Sequence, residues 1–167
     1  AEPRTLADWV RHVETIARRY RGRIAAEEIW NEPNAEGFFS GDAAAMVPLA
    51  CAAHAAIKAA DPLAVVVSPA ATHGMAGADW LDRFLAAGGA PCSDAIGFHF
   101  YTLAHEPPEA MLPLVAHVRV VMERHGLADR PLWNTEAGWY LRNANRPLTV
   151  RWHALDEPTS VAYVARA

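Results

Sequence analysis

Residues 28–34 read Glu28-Ile29-Trp30-Asn31-Glu32-Pro33-Asn34, a short apolar run that stops at an amide, a carboxylate and a proline. The run begins at Ile24 and reads as a strand ending near Trp30, with Asn31 and Glu32 at its mouth. A second stretch, Pro131-Leu132-Trp133-Asn134-Thr135-Glu136, repeats the arrangement near the other end of the chain. Two strands that each deliver a glutamate at the same end suggest one site rather than two.

Working outward, the same pattern of short strand and longer helix recurs. Leu6 to Tyr20 carries an apolar stripe at helical spacing, stopped by Gly22. Ser40 or Asp42 caps an alanine-rich helix ending near Ala60, in which Pro48 predicts a bend or break. Ala64 to Ser68 is an unbroken apolar strand, as expected for one covered on both faces. Asp79 to Ala87 reads as a helix, Ala95 to Tyr101 as a strand, and Pro107 to about His125 as a helix. Leu132 to Glu136 is the fourth strand, and Pro158 to Ala167 opens another helix. The order is one helix and then strand–helix four times, which predicts parallel strands in an α/β fold. Two architectures fit that order: a four-stranded doubly wound sheet, or part of a (β/α)8 barrel.

With 167 residues, 52% hydrophobic and 20% charged, the chain is long enough for one core. The net charge of -4 provides no basic face, so nucleic acid is not an expected partner. No uninterrupted apolar run reaches the roughly 18–20 residues of a membrane span, so no membrane association is expected. Cys51 reads as buried in a helix and Cys92 as a loop thiol; two cysteines make no disulfide framework, and a bridge between them is the lesser alternative. The chain begins mid-pattern, so the compartment is left open between secreted, periplasmic and cytoplasmic.

In parallel α/β folds ligands meet the C-terminal ends of the strands. The first strand ends there in Asn31 and Glu32, the third carries His99 and Tyr101, and the fourth ends in Glu136, followed by Trp139. Residues of equal parity share a strand face, so His99 and Tyr101 point together, opposite Phe98 and Phe100. Leu132, Asn134 and Glu136 likewise share a face. If these ends converge, two carboxylates meet beside an imidazole and a phenol, the apparatus of glycoside hydrolysis. Tyr101 is then placed to donate to Glu136, and Asn31 to a sugar hydroxyl.

The two motifs together, with "IGFHFY" between them, resemble clan A glycoside hydrolases, most nearly family 39, which includes β-xylosidases and α-L-iduronidases. The resemblance covers about Leu6 to Ala167. It implies a retaining mechanism on a β-linked or uronic-acid-type sugar, with no cofactor and no metal. Glu32 would be the acid/base, Asn31 a hydrogen-bond donor beside it, and Glu136 the nucleophile. His99 and Tyr101 would line the subsite of the cleaved sugar, and Trp139 is a candidate stacking platform. It also implies that residues 1–167 form a single incomplete (β/α)8 catalytic domain, covering strands four to seven. The family's arginine partner for the nucleophile lies on a strand not matched here. Such a piece would be inactive alone and open to self-association along its strand edges.

Plainer readings exist for each residue. Glu32 and Asn31 suit a turn before Pro33, His99 a satisfied core histidine, and Trp139 the rim of the sheet. Trp30 and Trp133 read as core. Glu28 shares parity with Glu32 and, if turned inward, needs a cation that the sequence does not identify. His73, His99 and His105 lack the spacing of a metal site. The segment from Tyr140 to Glu157, with Arg142 and Arg146, is either a surface connection or a substrate loop. The rival to an enzyme is a carbohydrate-binding or scaffold protein with a relict site. The separation of Glu32 from Glu136 discriminates the two: a working retaining pair stands about 5 Å apart.

Overall fold

A computed structural model describes residues 3–103, 106–139, 141 and 155–167. The expected alternation is present. Helix α1 spans Leu6–Arg19, and strand β1, Ala26–Glu28, is followed by α2, Ala43–Ala60. Strand β2, Val65–Val67, leads to α3, Met75–Phe84, and β3, Ile96–His99, to α4, Leu112–Arg124. Strand β4, Leu132–Glu136, precedes α5, Glu157–Val164.

All strand pairings among the described residues are parallel. Ala26 faces Val65 and Glu28 faces Val67 in the β1–β2 pair, while Ile96 faces Leu132 in the β3–β4 pair. Single bridges, Val67 to Ala95 and Ala71 to Phe98, join the two pairs into the order β1-β2-β3-β4. The seam between β2 and β3 is thin because the pairing shifts after Ser68: Ala70 gives its N–H to Trp30 O on the β1 side rather than to β3. The hydroxyl of Ser68 compensates: buried at the seam, it accepts the Gly97 N–H at 3.0 Å.

The helices cover the sheet through a core that includes Met46, Ala50, Ile57, Val66, Leu81, Phe84, Ile96, Phe98, Val118 and Met122. Asp42 caps α2 by accepting from the Ala45 N–H at 2.8 Å. The helix then runs through Pro48 without ending. The proline is on the exposed side, where water can serve the Ala44 carbonyl it leaves unpaired. By length and composition α2 is apolar enough to cross a membrane, more than the expectation from uninterrupted runs allowed. Seven of its residues, from Ala43 to Ala60, are instead buried in this core. Helix α3 starts four residues earlier than its polar Asp79 suggests, because its cap is Gly74, which has no side chain to announce it.

Asp94 fastens α2 to the sheet: one oxygen accepts from Lys58 Nζ at 2.8 Å and from the Val66 N–H at 2.9 Å. Burial pushes its carboxyl up, but Lys58, the Val66 N–H and His54 outweigh that and hold it below the usual carboxylate range. The expectation for the cysteines is corrected. Cys51 and Cys92 form a disulfide, with Cα atoms 4.4 Å apart. The π-helical turn Leu85–Gly89 and the 3-10 turn Ala90–Cys92 bring the second cysteine back against α2. Trp133 is also not core: it is 39% exposed on β4, which pairs on one side only among the described residues.

Candidate active site

The strand ends converge as parity predicts, and the centre of the convergence is His99. Its side chain is 1% exposed. Nδ1 lies 2.9 Å from Glu32 Oε1 and 3.4 Å from Glu136 Oε2, and Nε2 lies 3.9 Å from Glu28 Oε1. One imidazole therefore faces three carboxylates. Burial by itself lowers the pKa of this ring, but Glu28, Glu32 and the charge of Glu136 outweigh it and hold the pKa above the ordinary histidine value. A doubly protonated ring donates from both nitrogens, which suits acceptors on both sides. Glu28 thus faces an imidazole within this chain. Gly97 makes room for it: a Cβ there would stand 3.0 Å from Glu28 Oε2 and 2.8 Å from Val67 Cγ1.

Glu32 is held in a left-handed conformation, φ 46°, uncommon for a residue with a side chain. Its N–H donates to Ala70 O and its carbonyl accepts from Ala35 N, both at 2.9 Å, so the turn is fixed on both sides. Asn34 completes the fixation. Its amide donates to Thr72 O at 2.8 Å and accepts from Thr72 N at 2.9 Å, an imitation of a strand rung between the loops after β1 and β2. Strain of this kind is tolerated where surrounding structure over-determines it, and it concentrates at functional sites.

Across the sheet, Glu136 pairs with His99 while Asn134 pairs with Phe98, so Thr135 is an extra residue in β4. This bulge interrupts the strict alternation expected for Leu132, Asn134 and Glu136; bulges commonly re-aim a side chain beside a site. Tyr101 donates its phenolic hydrogen to Glu136 Oε1 at 2.5 Å. Oxygens of Glu32 and Glu136 and a nitrogen of His99 all lie within 4.8 Å of one another.

Glu32, Tyr101, Glu136 and Trp139 line a pocket of about 470 Å³. His99 does not line it. The ring sits beneath the carboxylates as a support rather than beside a ligand, because burial leaves it no open face. Asn31 does not line it either; it is exposed, and its backbone bridges Ala70 at the strand end. Trp139 reaches the pocket and packs edge-on against Tyr163 of α5, with ring centroids 5.4 Å apart. The sequence reading missed the contribution of the loop after β2. Thr72, His73 and Gly74 form part of the wall. A signal was present in Gly74 and Gly77: a Cβ on Gly77 would collide with the Thr72 carbonyl. His105 and most of the 140–157 segment lie outside the described residues.

Two carboxylates thus meet at the open ends of parallel strands, bridged by His99, with Tyr101 donating to Glu136. The chain belongs to the glycosyl hydrolase catalytic core family, which it matches over residues 4–156. No curated protein sequence matches it significantly. Similar solved structures include a family 39 glycoside hydrolase from Bacteroides cellulosilyticus, 20% identical, TM-score 0.67, covering 98% of this chain and 34% of that one. A glucosidase from Croceicoccus marinus is 21% identical with TM-score 0.62, covering 90% of this chain and 33% of that one. A family 128 endo-β-1,3-glucanase from Amycolatopsis mediterranei, solved with laminaritriose, is 21% identical with TM-score 0.59, covering 90% of this chain and 57% of that one. The chain thus spans a third to somewhat over half the length of these clan A enzymes, and its fold is a portion of their (β/α)8 barrel.

Proposed function

We propose that residues 1–167 are one incomplete catalytic domain of a retaining glycoside hydrolase, with Glu32 as acid/base and Glu136 as nucleophile. The observation that carries this reading is the approach of the two carboxylates, whose oxygens lie within 4.8 Å in one pocket. A double displacement needs carboxyl groups about 5–5.5 Å apart, whereas direct attack by water needs a wider gap. A relict site would have no reason to keep a strained Glu32 or a tyrosine bound to Glu136.

In the first step a Glu136 oxygen forms a bond to the anomeric carbon. The glycosidic carbon–oxygen bond breaks, and Glu32 gives its proton to the departing oxygen. In the second, Glu32 takes a proton from water, the water oxygen bonds to the anomeric carbon, and Glu136 leaves as a carboxylate. Tyr101 fixes the attacking carboxylate, and His99, beneath the pair, holds both acids in position. Trp139, on the pocket wall, is the sugar contact this reading assigns, and Asn31, at the strand end outside the lining, reaches only a sugar that extends beyond the pocket. The substrate is a β-linked or uronic-acid-type glycoside, and no metal or cofactor is called upon.

The test uses the full-length protein containing this chain and a panel of aryl glycosides. Glu136→Ala should abolish hydrolysis, and Glu32→Gln should lower kcat by about 10²- to 10⁴-fold on poor leaving groups. The first-formed sugar should keep its anomeric configuration by NMR. Equal activity in wild type and Glu136→Ala, or an inverted product, would reject the assignment.

A further inference from the structure

The pocket beside the two glutamates is not uniformly polar, and the difference bears on the leaving group. Among the described residues, the segment after β3 contributes Leu103, Ala110, Met111 and Leu114 to the lining, with Thr102 and Glu106 beside them. Trp139 lines the same cavity. Among the described residues of that wall the charged one is Glu106, which is committed to its own loop, where Oε2 accepts the Leu103 N–H at 3.0 Å. A leaving sugar laid against this wall would set its hydroxyls on aliphatic carbon and lose hydrogen bonds it had with water. A hydrocarbon would gain about fourfold in affinity for each methylene buried.

Resting on the glycosidase reading, we infer that the substrate is a glycoside with an apolar aglycone, an alkyl or lipid-like chain, bound along Leu103, Met111 and Leu114. The geometry behind this is simple. A sugar ring occupies the gap between Glu32 and Glu136, and the group that Glu32 protonates away occupies the rest of the shared cavity. Its volume of about 470 Å³ is within the roughly 300–1,000 Å³ of small-molecule sites.

The experiment takes the sugar preferred in the aryl glycoside panel and compares three substrates of the full-length protein: its methyl glycoside, its n-octyl glycoside and a disaccharide with that sugar at the cleaved position. The expected kcat/KM for the octyl glycoside exceeds both others by at least about tenfold. Leu103→Ser and Leu114→Ser should each lower the octyl-to-methyl ratio several-fold. Leu103 is 51% exposed, so its replacement does not put folding at risk. Preference for the disaccharide, or a ratio unchanged in both variants, overturns the inference while Glu136-dependent hydrolysis leaves the glycosidase reading standing. Absence of any Glu136-dependent hydrolysis overturns both.

Discussion

His99 is the residue on which the site turns, and its setting makes a pH-dependent prediction. Its folded-state pKa is raised above the ordinary value of about 6.5. The stability it contributes is therefore complete below about pH 6.5 and is lost as pH rises through the raised value. Glu28→Gln removes one of the groups that raise it, so the loss should be smaller and should finish at a lower pH than in wild type. Thermal unfolding across roughly pH 5 to 9 checks this; superimposable profiles would remove Glu28 from the role. The sequence already placed His99 with Tyr101, because parity on a strand is a local property. It did not reveal the partner of Glu28. That contact, at 3.9 Å, joins positions on two strands that are not neighbours in the sheet, and only the finished order brings them together.

At the scale of elements, the seam between β2 and β3 is the informative feature. Ser68 is fully buried and its hydroxyl takes the place of a ladder acceptor for the Gly97 N–H. Ser68→Ala should cost about 1–3 kcal/mol, the penalty for an unsatisfied buried donor. Urea unfolding measures it, and a change below about 0.5 kcal/mol would mean that water or a backbone shift replaces the hydroxyl. The strands and most helices were legible because apolar runs and caps such as Asp42 are written locally. Three features were not. The start of α3 has a glycine cap, the bulge at Thr135 arises from pairing with β3, and the disulfide depends on the return of residues 85–92 to α2. The contribution of Thr72 and His73 was hidden for the same reason: it is Asn34, 38 positions away, that pins their loop.

For the whole molecule, β1 and β4 each pair on one side only among the described residues. Open parallel edges template further pairing. The 167-residue chain alone should therefore associate at roughly 100 μM. Light scattering after size exclusion should give a mass above the monomer value of 18.2 kDa. A sharp monomer peak would show that the edges are protected by residues outside the described set. That the chain is part of a barrel was legible only through the paired motifs; strand count alone also allowed a doubly wound sheet.

The thin seam has one more consequence. Glu32 projects from the β1–β2 half and Glu136 from the β3–β4 half, so the interval between proton donor and attacking oxygen is set by the few bonds that cross between the halves: the N–H groups of Ser68, Asp94, Ala95 and His99, and the Ser68 hydroxyl.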